Sequence, residues 1–164
     1  MVYRIDMKSF KQHIFEKLRV DVRNTTKHTL FPKTKNELKH MIEDEISKHG
    51  NECSLNHIDV SEITDMSSLF FESYFNGDIS EWDVSNVENM NFMFYKSKFN
   101  GDISNWNVSR VRNMTRMFYK SKFNGDLSKW KVPRGRYMKN VFDDSPLEGK
   151  EPDWYKAYMK PINS

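Results

Sequence analysis

Apolar positions recur with a period of 24 residues across residues 51–146. The segment 93–104 reappears at 117–128 with a single Ile-to-Leu change. Because one such unit cannot bury its apolar side alone, the period predicts four stacked units that share a core. The aligned large residues are Phe75, Phe99 and Phe123 with Leu147; Ile58 with Trp82, Trp106 and Trp130; Met66, Met90, Met114 and Met138; and Phe70, Phe94, Phe118 and Phe142.

The first part of each unit predicts a strand. Ile79, Trp82 and Val84 have the spacing of the strand in leucine-rich repeats. Trp82 and Val84 would point inward, whereas Glu81 and Asp83 would point outward. An Asn-Gly pair precedes the predicted strand in the second, third and fourth units and indicates a turn that tolerates positive φ.

The second part of each unit predicts a short helix. Ser85 and Glu88 form a capping box, and Val87, Met90 and Phe94 follow at helical spacing. We therefore predict an α/β fold. It is a right-handed, leucine-rich-repeat-like solenoid of four 24-residue strand–helix turns with a helical N-terminal cap.

Further helices are predicted beside the repeats. A capping box at Thr34 starts a helix that ends at Gly50, and residues 9–20 show another helical pattern. We expect residues 1–50 to cap the first unit and residues 147–164 to cap the last, within one structural domain.

The repeat resembles that of a known family. FNGDISEWDVSNVENMNFMF is similar to the ~25-residue repeat of the bacterial BspA-like leucine-rich-repeat proteins. The similarity covers residues 51–142, and the preceding segment that begins FPKTKNELKHMIEDEI resembles the leader of those repeats. The resemblance implies a binding scaffold, since the family is usually described as surface-exposed and adhesive.

Composition predicts neither a membrane span nor a disulfide framework. The N-terminus has no apolar signal region, no apolar run approaches about 18 residues, and Cys53 is the single cysteine. We therefore expect a cytoplasmic protein. The net charge of +3 is too small by itself to argue for nucleic acid.

The chain shows no catalytic motif. It lacks a Gly-rich phosphate loop, a nucleophile elbow and a catalytic His–carboxylate spacing. His49, Cys53 and His57 are spaced as metal ligands on a helix would be, but Gly50 breaks that helix and a fourth ligand is missing. We expect no enzyme activity, no metal and no cofactor.

Asp78, Asp102 and Asp126 form one column. Stacked carboxylates repel one another, so the column predicts either a bound calcium ion or carboxylates that accept backbone N–H groups of their own turns. The second interpretation is favoured because each Asp directly follows Asn-Gly.

Two columns of outward residues are candidates for partner contact, since repeat proteins bind through equivalent positions of successive units. Both columns change from acidic or neutral to basic along the stack. The first contains His57, Glu81, Asn105 and Lys129, and the second contains Asp59, Asp83, Asn107 and Lys131.

A basic and aromatic patch is the other candidate surface. Arg112, Arg116 and Lys120 would share the outer face of the third predicted helix, and Phe92 lies one unit before Arg116. The aromatic column beside them contains Phe71, Tyr95 and Tyr119. The full set of predicted partner-binding residues is Arg110, Arg112, Arg116, Lys120, Arg134, Arg136, Tyr95, Tyr119, Phe92, Glu81, Asp83, Lys129 and Lys131.

Four interpretations of this patch stay open. The first is that the patch is only a solvated basic face, and the second is that it binds an acidic protein surface. The third is that it binds nucleic acid or a nucleoprotein, and the fourth is that it contacts a second copy of the chain. We predict a non-catalytic scaffold that binds a macromolecule, with a protein as the first choice. The alternative is a small inhibitor or regulator, such as a mobile-element protein, that binds nucleic acid or a nucleoprotein through the Arg/Tyr patch.

Overall fold

The computed structural model describes residues 28–159, and two helices lie within this range. Helix α1 spans Lys35–His49, and helix α2 spans Asp153–Met159. Neither helix is long and apolar enough to cross a membrane. The predicted helical pattern at residues 9–20 lies outside the described residues.

The two ends of α1 were predicted correctly. The Thr34 side chain accepts a hydrogen bond from the Glu37 N–H at 3.2 Å, as an N-cap residue does. Gly50 follows the helix with a φ of 85°, and its N–H donates to the carbonyl of Ile46. Leu38 is buried in the core, so that α1 packs against the repeats.

The predicted α/β solenoid of strand–helix turns is wrong. Residues 28–159 contain isolated parallel bridges instead of a sheet. Where a strand was expected, the Trp82 N–H donates to the Ile79 carbonyl at 3.2 Å, which closes a turn. The bridges join Leu30 to Ile58, Ser54 to Asp78, Asp65 to Asn89, Asn89 to Asn113, and Asn113 to Tyr137.

The predicted repeat helices are consecutive turns. Phe92 and Lys96 have φ values of 56° and 51°, in the left-handed region, and a left-handed residue every fourth position excludes an α-helix. The same conformation recurs in each unit. The residues with it are Ser68, Glu72, Phe92, Lys96, Arg116, Lys120, Asn140 and Asp144.

Backbone N–H groups in these turns alternate between two kinds of partner. The N–H of Met93 closes a turn on the Met90 carbonyl, at 3.2 Å. The N–H of Phe94 instead donates to Met117 in the next unit, at 2.9 Å. This alternation satisfies the backbone and holds neighbouring units in a register of 24 residues.

The core consists of columns of equivalent side chains, as the period predicted. Phe70, Phe94, Phe118 and Phe142 stack with centroid separations of 5.5, 5.5 and 5.8 Å. All four rings are buried. The hydrogen bonds between neighbouring units set the distance between successive rings.

Tryptophan indoles bind each unit to an earlier one. The Trp106 Nε1–H donates to the Ile79 carbonyl at 3.2 Å, across 27 residues. Trp154 in α2 makes the same bond to Leu127 at 2.9 Å and stacks on Trp130 at 6.2 Å. The tryptophan series therefore continues into the C-terminal helix, which sequence reasoning treated only as an aromatic cap.

Candidate partner-binding surface

A partly exposed aromatic edge runs along the repeats and is formed by Phe71, Tyr95 and Tyr119 with Phe92 and Arg116. The rings of Phe71 and Tyr95 stack at 4.8 Å, and those of Tyr95 and Tyr119 stack at 5.2 Å. The Arg116 guanidinium lies 5.9 Å from the Phe92 centroid and 5.7 Å from that of Tyr119. The predicted proximity of these residues is confirmed, although no helix presents them.

Left-handed turns place the aromatic edge outside the core. In these turns, a pair of buried residues is followed by a pair that is more exposed. Phe94 therefore faces the interior, whereas its neighbour Tyr95 is half-buried at the edge. Phe71, at the start of the series, is 44% exposed. An apolar ring with this exposure is a candidate contact for a partner.

Lysines beside the aromatic edge are paired with carboxylates. Lys96 lies 2.8 Å from Glu72, and Lys120 lies 3.9 Å from Asp144. Hydrogen bonding to the Glu72 carboxylate raises the pKa of Lys96. By contrast, Arg116 forms no ion pair within the described part of the chain, so its positive charge is available to a partner.

The predicted basic patch is divided into two groups. Arg116 and Lys120 belong to the aromatic edge, whereas Arg110, Arg112 and Arg136 line a separate depression. The predicted helical face that united Arg112, Arg116 and Lys120 is wrong, because the chain turns at residues 116 and 120.

The arginine depression is lined by Glu88, Ser109, Arg110, Arg112 and Arg136 and has a volume of about 370 Å³. The Arg112 guanidinium lies 3.6 Å from Glu88, with both side chains largely exposed. Arg110 donates to the side-chain oxygen of Asn86 at 2.7 Å. The Nε atom of Arg136 is buried and has no hydrogen-bond partner among residues 28–159.

The two predicted outward columns lie at the surface. Glu81, Asp83, Asn105, Asn107, Lys129 and Lys131 are exposed, and His57 and Asp59 are half-buried. Asp83 accepts the Ser85 N–H at 3.0 Å. Arg134 is exposed as well, outside the residues that line the depression.

The aspartate column makes the predicted turns. Asp102 accepts the Ser104 N–H at 2.9 Å, and Asp126 accepts the Ser128 N–H at 2.8 Å. Hydrogen bonds from the Ser104 backbone and side chain lower the pKa of Asp102. The carboxylates therefore serve the local backbone, which confirms the favoured interpretation of this column.

The histidines near α1 contact a carboxylate. The Glu45 Oε2 atom lies 3.2 Å from the His57 Nε2 atom and 3.8 Å from that of His49. Burial raises the pKa of the Cys53 thiol. No group of three or more potential ligands that could hold a metal is found among residues 28–159.

Fold and surface together define a protein of stacked repeats with a partly exposed aromatic edge. The family model described as "Mycoplasma protein of unknown function, DUF285" matches residues 36–154. Since this match covers well over half of the chain, the chain belongs to that family. No curated protein and no solved structure shows a significant match to it.

Proposed function

We propose that this chain is a non-catalytic repeat scaffold that binds a protein partner through the aromatic edge. The observation that carries the proposal is the stacking of the exposed Phe71 ring and the half-buried rings of Tyr95 and Tyr119 beside Arg116, which forms no ion pair within residues 28–159. Aromatic residues and arginine are enriched among the residues that dominate binding energy at protein interfaces. Stacked rings are also held rigid, so little side-chain entropy is lost on binding.

The stacking favours a protein over single-stranded nucleic acid. A base needs an open ring face on which to stack, but both faces of Tyr95 are covered by Phe71 and Tyr119. The neighbouring cations Lys96 and Lys120 are already close to carboxylates, which weakens their attraction for phosphates. What the edge presents is ring edges, hydroxyl groups and the guanidinium of Arg116, which forms no ion pair within residues 28–159.

Kinship with the BspA-like proteins is part of the proposal. The repeat motif of residues 75–94 supports it, and the DUF285 match over residues 36–154 is compatible with it. We also propose a cytoplasmic location, where the single free thiol of Cys53 would stay reduced. Fractionation of the source cells, with immunodetection of the chain, tests that location.

A pull-down from a lysate of the source cells, with and without nuclease, tests the binding proposal. We expect a specific protein to be retained after nuclease treatment and to be lost with Arg116→Glu. Arg134→Glu is the matched control, because it makes the same charge reversal at an exposed residue away from the aromatic edge.

Two results would contradict the proposal. The first is that the partner is retained both by Arg116→Glu and by a separate double variant, Tyr95→Ser with Tyr119→Ser. That result would exclude the aromatic edge as the binding surface. Loss of all captured material on nuclease treatment would favour the nucleic-acid alternative, and binding that falls steeply with salt would support it.

A further inference from the structure

We propose that the arginine depression is a binding site for a phosphate monoester dianion. The site is separate from the aromatic edge, so it goes beyond the proposed function. Three guanidinium groups and one carboxylate line it, which leaves a formal charge of +2 for a ligand to balance.

Arg136 is the residue that points most directly to a ligand. Its Nε–H is buried, and no hydrogen-bond acceptor contacts it within residues 28–159. A buried donor without a partner is costly, more so on a charged group. Because the Nε atom is shielded from solvent in this structure, an anion in the depression would reach it once the Arg136 side chain rotates toward the depression, and the anion would then supply the missing acceptor.

Arg110 and Arg112 also have N–H groups that could donate hydrogen bonds to the same ligand. Arg110 uses one terminal nitrogen for Asn86, at 2.7 Å, and a guanidinium has five N–H donors in total. Arg112 is 3.6 Å from Glu88 and largely exposed, a pair whose net attraction in water is weak. Ser109 adds a hydroxyl to the lining.

The charge of the site selects among phosphate groups. A monoester carries about −1.5 to −2 at neutral pH, which matches the net +2, whereas a phosphodiester carries a single negative charge. Planar guanidinium groups also match the paired oxygens of a terminal phosphate better than an ammonium does. A phosphorylated side chain and free inorganic phosphate share this chemistry.

NMR titration of the full chain tests the proposal, with the Nε–Hε signal of Arg136 as the direct readout. The probes are inorganic phosphate, methyl phosphate, dimethyl phosphate, and a short peptide with phosphoserine next to its unphosphorylated form. We expect methyl phosphate to shift the Arg136 signal and to bind at least tenfold more tightly than dimethyl phosphate.

Arg136→Lys keeps the charge but removes the Nε donor, and we expect it to weaken methyl phosphate binding at least tenfold. Arg134→Lys is the matched control and should bind as the unaltered chain does. If Arg136→Lys loses the dispersed amide spectrum of a folded chain, Arg110→Lys takes its place with the same expected direction.

The proposal is overturned if the Arg136 signal does not move, if the lysine variant binds methyl phosphate unchanged, or if dimethyl phosphate binds equally well. The last result would indicate recognition of a nucleic-acid backbone. Preference for the phosphopeptide over inorganic phosphate would identify the source as a modified protein, and the reverse preference would identify a free anion. Either preference supports the site, and neither depends on the pull-down.

Discussion

Replacement of Gly77 by Ala tests how closely neighbouring units approach. A Cβ atom at Gly77 would lie 1.9 Å from the carbonyl oxygen of Cys53, in the preceding unit. Real Cβ atoms do not tolerate such a distance, and a backbone oxygen cannot rotate away as a side chain can. The two units would have to separate at this point.

The cost can be worked from the contacts that separation would break. Overpacking by one methyl group costs about 1–3 kcal/mol and occasionally more. Two of the hydrogen bonds that cross this boundary lie next to Gly77, from Leu55 N–H to the Asp78 carbonyl at 2.8 Å and from Asp78 N–H to the Cys53 carbonyl at 3.1 Å. Each contributes about 0.5–1.5 kcal/mol net. We therefore expect Gly77→Ala to lower the free energy of unfolding by about 2–6 kcal/mol, or Tm by roughly 10 °C.

Urea denaturation followed by tryptophan fluorescence measures this loss, and two further glycines calibrate it. Gly125→Ala should cost less, about 1–2 kcal/mol, because its nearest neighbours are atoms of the Phe123 ring, the closest at 2.6 Å. Gly149→Ala meets nothing within 4 Å and carries only the penalty of its φ of 78°, about 1 kcal/mol. If Gly77→Ala is no more destabilising than Gly149→Ala, the close approach is not what requires glycine.

Three other substitutions have defined outcomes. Trp154→Phe should cost about 1 kcal/mol in urea denaturation, because it removes the indole hydrogen bond to the Leu127 carbonyl, which keeps only the Trp130 N–H as a donor. Unchanged stability would show that α2 does not continue the tryptophan series. Hydrogen bonds that favour the ionised carboxylate lower the pKa of Asp102 in the folded chain. The stability that the Asp102 carboxylate contributes is therefore present above about pH 4, and it is lost as the pH falls through the lowered pKa. Asp102→Asn should therefore reduce the difference in urea midpoint between about pH 6 and about pH 3, and an unaltered difference would refute this linkage. Lys120→Val places a β-branched residue at a φ of 54° and should cost about 1–2 kcal/mol, whereas exposed Lys122→Val should cost under about 0.5 kcal/mol. Equal costs would favour the helix that the pattern predicted.

The glycines of the Asn-Gly pairs are required for a reason other than the one that the sequence pattern indicated. The sequence pattern indicated positive φ at these pairs. Within residues 28–159, positive φ among glycines occurs only at Gly50, Gly135 and Gly149. Gly77 is required by the approach of a neighbouring backbone, a contact between units that no pattern within one unit reveals.

The candidate surfaces were predictable in part. The period brings Tyr95 next to Tyr119 and Phe92 next to Arg116 whatever the local backbone does, and both contacts are observed. The grouping of Arg112 with Arg116 rested on an α-helix, so it failed when the helix proved to be turns. The position of Trp154 could have been predicted, since it lies 24 residues after Trp130.

The sequence by itself determined the period of 24 residues, the aligned apolar columns and the capped helix α1, because each depends on spacing or on a local cap. Only the tertiary structure decided the backbone conformation inside each unit. Apolar residues at positions 87, 90, 93 and 94 suit a helix or a run of turns equally well, since both bury the same side chains. The turns prevail because alternate N–H groups bond to the adjacent unit, a partner that exists only once the units are stacked.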